Sequence, residues 1–205
     1  MFKVNTGCRD REVCGLRWDD EVQVPELETS VFIIPGGGVK NAQDRLVVLN
    51  RIARSVMEAQ RGQHPEYVFA YARKRGKRGK RGKPTEGERR KEPMPLPVRH
   101  MNNSAWKSAR TRAADKWERQ TGTPAPVGFR KVRVHDLKHT FGRRLRAANV
   151  SFEDRQDLLG HKSARITTHY SGAELASLIA AAEKVCEEQK SHKTPTTIGL
   201  RRRLG

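Results

Sequence analysis

Residues 134–171 read VHDLKHTFGRRLRAANVSFEDRQDLLGHKSARITTHYS. The stretch gathers His135, Lys138, His139, His161, His169 and Tyr170, with cations scattered between them, into sequence of mostly helical pattern. His135 and Lys138 stand three apart, so on a helix both project from one face. Ser151 opens a second, short amphipathic run with Asp154 at the capping-box position, and Gly160 closes it. His161 follows that stop directly, and Tyr170 follows Thr167-Thr168-His169. Histidines and a tyrosine set beside positive charge suit chemistry on an anion.

The rest of the chain says which anion. A length of 205 residues suits one domain with flexible ends. Only 35% of residues are apolar and the formal net charge is +19, a balance that calls for a polyanionic partner. No apolar run approaches the roughly 20 residues that cross a bilayer, and the N-terminus has no signal-peptide core, so a cytoplasmic, nucleoid-associated protein is expected. Cys8, Cys14 and Cys186 are odd in number and lack zinc spacing, which fits small buried hydrophobes in a reducing compartment. Arg73 to Lys91 reads RKRGKRGKRGKPTEGERRK. Without apolar residues it cannot build a core, so a disordered insertion over about 72–92 is expected, either a solvated loop or a DNA-contacting arm. It is no P-loop, because Gly82-Lys83 runs into Pro84 and no glycine stands five positions earlier.

Taken in order, Arg9 to Trp18 predicts a short helix with Arg9 and Glu12 one turn apart. Three β-prone runs follow, Val22–Val24, Val31–Ile34 and Arg45–Leu49, the last two joined through Pro35-Gly36-Gly37-Gly38 as a hairpin with Lys40 at its foot. Asn50 caps a helix to Arg61, and Gly62 stops it. A further helix runs from Asn103 or Ser104 to about Gln120, where Trp106, Ala109, Ala113 and Trp117 predict a buried face. Beyond Tyr170, Ala173 to Glu188 predicts a helix whose apolar stripe of Leu175, Leu178, Ile179, Ala182 and Val185 needs a cover. The expected fold is mainly α with a small antiparallel sheet (α+β), spanning 1–190, with a basic tail over 191–205.

These residues resemble the catalytic domain of the tyrosine recombinases, the phage-integrase-type site-specific recombinases. TGCRDREVCGLRWDD at Thr6–Asp20 resembles the family's first arginine motif and places its arginine on Arg9. VKNAQDRLVVL places the hairpin lysine on Lys40, HDLKHTF at His135–Phe141 resembles the His-x-x-Arg motif, LGHKS places a third basic residue on His161, and TTHYS places the nucleophile on Tyr170. The five motifs stand in order over nearly the whole chain. The resemblance implies a DNA strand transferase that breaks and rejoins double-stranded DNA through a 3′-phosphotyrosine, in DNA integration or recombination. Such an arrangement uses protein donors alone, and the sequence offers no carboxylate cluster to hold Mg²⁺, so no cofactor and no metal are expected. Tyr170 attacks, His135 takes its proton, Arg9, Lys138 and His161 hold the phosphate, Lys40 protonates the leaving oxygen, and Glu12 supports by pairing. DNA contacts are expected from Lys74, Arg75, Lys77, Arg78, Lys80 and Arg81 in the insertion, and from Arg143, Arg144, Lys162 and Arg165.

The chain departs from the family pattern twice. Lys138 stands where the family has arginine, and a lysine lacks the fork that grips phosphate bidentately. The first arginine motif begins at Thr6, so the one or two helices and the DNA-clasping domain that precede it in the family are expected to be missing, an N-terminal truncation. That leaves a degenerate fragment that binds DNA without efficient strand exchange as the alternative reading. Without the motif order, His135 and His139 read as ordinary helix residues and Tyr170 as a core or surface aromatic. A basic RNA-binding protein is disfavoured, because the few aromatics sit at core spacing. The resemblance further implies self-association on DNA as a tetrameric synapse. The helix over 173–188 then either docks in trans on a neighbouring protomer or folds back on its own core.

Overall fold

The computed structural model describes residues 1–38, 44–71, 94–101, 104–161 and 171–186. A short helix, α1 (Phe2–Thr6), leads through Gly7 into α2 (Asp10–Cys14). Gly7 is left-handed at φ 64°, and a Cβ there would meet the Phe141 ring at 2.8 Å, so a turn and a close approach both select glycine. Strands β1 (Glu21–Val24), β2 (Thr29–Ile34) and β3 (Arg45–Val48) then form an antiparallel sheet in that order. Phe32 lies between Glu21 and Val47 in the register, and Ile34 pairs with Arg45. The three expected strand runs and their hairpin are present to within two residues.

Alternate residues of β3 serve two different cores, as the period-2 geometry of a strand requires. Val47 joins Phe32, Ile34, Leu49, Cys8, Val13 and Leu16 on one side, under α3 (Arg51–Glu58). Leu46 and Val48 join the second cluster, built on α6 (Asp136–Ala147), α7 (Phe152–Leu159) and α8 (Gly172–Glu183) through Phe141, Leu145, Leu158 and Leu178. Asn50 caps α3 as expected, its Oδ1 accepting from the Ala53 amide at 2.9 Å. Ser151 caps α7 by accepting from the Asp154 amide at 3.0 Å, and Gly160 ends it at φ 56°.

Two expectations need correction. Arg9 is the N-cap of α2 rather than its first turn, and α2 stops at Cys14; Trp18 belongs to a separate 3-10 turn, Trp18–Asp20, with its Nε1 donating to the His64 carbonyl at 3.0 Å. Helix α4 (Ser104–Thr121) does not bury the expected face: Ala114 is its one buried residue, and Trp117 is 39% exposed. The reason is partnership, because α4 packs mainly on the small helix α5 (Val127–Lys131), where Trp117 meets Phe129 with ring centroids 5.3 Å apart. The stripe is periodic but only a thin layer covers it.

Of the two packings open to α8, the structure has the helix folded back on its own chain. Leu178, Ala181, Ala182 and the following Val185 are buried in the second cluster, with Leu175 and Ile179 packed against it. Polar contacts secure the same seam: Asn50 Nδ2 donates to the Ala182 carbonyl at 3.3 Å, the Arg51 amide to Glu183 at 2.9 Å, and Arg144 to the Val185 carbonyl.

Candidate active site

The end of α7 is the point on which the candidate side chains converge. The last carbonyls of a helix have no partners within it and carry the negative end of its dipole. Here Arg45 Nη1 donates to the carbonyl of Asp157 at 2.9 Å and Arg45 Nη2 to that of Leu158 at 2.8 Å. Lys138 Nζ donates to the carbonyl of Leu159 at 2.5 Å, and Arg9 Nη2 to that of Gly160 at 3.3 Å. Four consecutive carbonyls therefore each accept from a cation, and the cations come from α2's cap, β3 and α6. The next residue is His161, whose amide donates back to the Gln156 carbonyl at 3.0 Å.

Glu12 ties this group to α2. One of its oxygens accepts from the Arg9 amide at 2.7 Å and the other from Arg9 Nη1 at 2.7 Å, so it also closes the capping box of α2. Glu12 is buried, and Arg45 Nε stands 3.9 Å from its Oε2. Burial pushes its carboxyl pKa up, but the Arg9 amide and then the guanidinium groups of Arg45 and Arg9 outweigh that and hold it below the ordinary value.

Lys138, His161 and His135 carry lowered pKa values. Burial, then the charges of Arg45 and Arg9, push Lys138 down to about 8. His161 is lowered by desolvation and then by Lys138, Arg9 and Arg45, so its neutral imidazole persists below the usual range. His135 caps the start of α6, exposed, with its ring edge-on to His139 at 4.8 Å between centroids. Its pKa is lowered by desolvation and then by His139, which favours the form that accepts a proton.

Among the described residues, an open cleft of about 580 Å³ is lined by Lys138, His139 and His161 from this group, and not by Arg9, Glu12 or His135. Its walls are cationic, with Arg143, Arg146 and Arg155 facing Lys138, His139 and His161. The structure thus brings together Arg9, Glu12, Lys138 and His161, and sets His135 one turn from Lys138 on α6. Arg143 is exposed at the cleft. Arg144 is used inwardly, its Nη1 donating to Asn5 Oδ1 at 3.2 Å. Lys40 and Tyr170 lie outside the described residues, as do Lys74, Arg75, Lys77, Arg78, Lys80, Arg81, Lys162 and Arg165. Two buried cations went unread in the sequence. Arg45 is one; Lys3, whose Nζ donates to the Cys8 carbonyl at 2.7 Å beneath the Arg9 cap, is the other. The only signal for Arg45 was a charge on a strand position whose neighbours alternate into the core.

Residues 1–176 match the phage integrase family, and the chain belongs to it. Among curated proteins, the integrase of Salmonella phage P22 is 26% identical over 170 residues, which is 83% of this chain and 37% of that protein. The chain therefore spans little more than a third of the length of that relative. The mostly helical architecture with its small antiparallel sheet is the one expected for such a domain.

Proposed function

We propose that this chain is the strand-cleaving domain of a site-specific DNA recombinase. The observation that carries the reading is the convergence of Arg9 and Lys138 on the turn that presents His161, with Arg9 and Gly160 lying 151 residues apart in sequence. Such a cluster of donors, held in place before the reaction, suits the negative charge that grows on a phosphodiester under attack. In this reading the Tyr170 hydroxyl oxygen attacks the scissile phosphorus as the P–O5′ bond breaks. His135 receives the tyrosine proton, Lys40 gives a proton to the departing 5′ oxygen, and a 3′-phosphotyrosine remains. Attack by a 5′ hydroxyl on that intermediate reverses the step and rejoins a strand. Glu12 keeps Arg9 and Arg45 oriented. Arg143 at the cleft and the K-R-G insertion supply phosphate contacts to double-stranded DNA, and several protomers assemble on DNA as a synapse.

A nicked duplex that traps the cleaved end tests the chemistry. The expected result is a protein–DNA adduct that survives denaturant and disappears in Tyr170→Phe. A binding-only reading has one observation in its favour: the Lys138 ammonium, standing where the family has arginine, is already engaged by the Leu159 carbonyl. Salt-sensitive DNA binding with no adduct on any substrate containing the true core site would establish that reading instead.

A further inference from the structure

We propose that Arg45 is a positioning residue for His161, fixing where the imidazole stands by clamping the last turn of α7 to the sheet. The catalytic consequence rests on the strand-cleaving reading; the mechanical claim does not.

Arg45 is absent from the lining of the cleft. It is 5% exposed, and both of its terminal nitrogens are spent on the carbonyls of Asp157 and Leu158. Its Nε has no hydrogen-bond partner and faces the buried Glu12 carboxylate at 3.9 Å. A buried guanidinium with an unsatisfied N–H is costly, so the group must return that cost through the contacts it does make. Those contacts converge on one element, the last turn of α7, and His161 stands three residues beyond Leu158.

The base of the clamp is rigid. Arg45 begins β3 and pairs with Ile34 across the sheet, while the following residues alternate into two cores. Its planar fork meets two successive carbonyls, a geometry that a lysine ammonium cannot reproduce. Gly160 completes the fit. It is left-handed, and a Cβ there would collide with the Arg45 guanidinium, so the closeness of the clamp requires glycine independently of φ. Lys138 and Arg9 hold the next two carbonyls, but Lys138 also lines the cleft and Arg9 is only half-buried.

Hydrogen exchange on the unaltered chain, Arg45→Gln and Arg45→Lys tests the proposal. The probes are the Gly160 and His161 amides, bonded to the carbonyls of Asp157 and Gln156 at 3.0 Å each. In Arg45→Gln both should exchange at least about 10-fold faster while the β2 amides keep their protection, and Arg45→Lys should fall between the two. On the nicked duplex, adduct formation by Arg45→Gln should slow by about 10- to 100-fold at unchanged DNA affinity, because a misplacement near 1 Å carries a penalty of that order. Should Arg45→Gln fail to fold, Arg45→Lys and Gly160→Ala are read instead, the latter forcing the guanidinium aside with the same local signature. Exchange that is unchanged at Gly160 and His161, or accelerated equally at β2, overturns the proposal, as does an undiminished adduct rate in a chain whose turn has loosened. If the unaltered chain forms no adduct, the strand-cleaving reading fails, and the exchange data still decide the role of Arg45.

Discussion

At the end of α7, Arg9, Arg45 and Lys138 are drawn inward onto four carbonyls and a buried carboxylate. Along α4, Lys107, Arg112, Lys116 and Arg119 stand exposed on a helix with one buried residue. The residue types are the same and the functions differ. Inside, positive charge satisfies a helix end and fixes a turn; removing a partner there leaves a desolvated charge behind. Outside, each charge is hydrated and contributes little to folding, but each remains free to neutralise a phosphate. High net charge in such a chain is therefore two inventories, and only one of them is available to DNA.

The sharpest way to break this contrast is at Glu12. Glu12→Gln deprives buried Arg45 and half-buried Arg9 of their carboxylate, and should destabilise the fold by about 3–5 kcal/mol in urea unfolding. A loss below about 1 kcal/mol would show that the carbonyls suffice without it.

A smaller effect is expected from pH. The Lys138 pKa lies at about 8 in the folded chain against 10.5 for a free lysine. Below pH 8 the cost of burying its charge is fully present. Between about 8 and 10.5 the unfolded chain binds the proton that the folded chain releases, so this group makes stability rise with pH by on the order of 3 kcal/mol. Subtracting the pH profile of Lys138→Arg, which keeps its proton throughout, isolates the contribution. Superimposable profiles for the two proteins would contradict the assignment.

The same substitution probes the chemistry. A guanidinium at 138 can keep one N–H on the Leu159 carbonyl and offer another to phosphate, so Lys138→Arg should speed adduct formation by about 10-fold, equivalent to about 1.4 kcal/mol. An unchanged rate would mean that position 138 serves the turn alone.

The smallest effect belongs to α4. Lys116→Ala should alter stability by no more than about 0.5 kcal/mol. If α4 meets DNA, the substitution lowers the slope of log affinity against log salt by about 1; an unchanged slope takes α4 out of the interface.

Much of this architecture was legible before any coordinates. Caps are local, so Asn50, Ser151 and Gly160 could be placed from their neighbours, and the two glycine-linked strand runs announced their hairpin. Side-chain identity also marked Arg9, Glu12, Lys138 and His161 through the motifs around them. What could not be read was partnership across distance. Nothing near Arg45 shows that it will meet carbonyls 112 and 113 residues away. Periodicity gave α4 a buried face, but periodicity cannot say how thick the covering layer is. The reverse held for α8: its stripe was plain and its cover was not, since cis and trans docking bury the same residues. A local signal was nonetheless overlooked there. Ser171 and Glu174 form a full capping box, with amide-to-side-chain distances of 3.2 and 2.8 Å, which starts α8 directly after the Tyr170 position.

The measurement that bears most directly on the central claim is peptide mapping of the covalent product from the nicked duplex. A nucleotide joined through its 3′-phosphate to the oxygen of Tyr170 is the predicted result. A phosphodiester joined to any other side chain, or no covalent product from a duplex carrying the true core site, would contradict it.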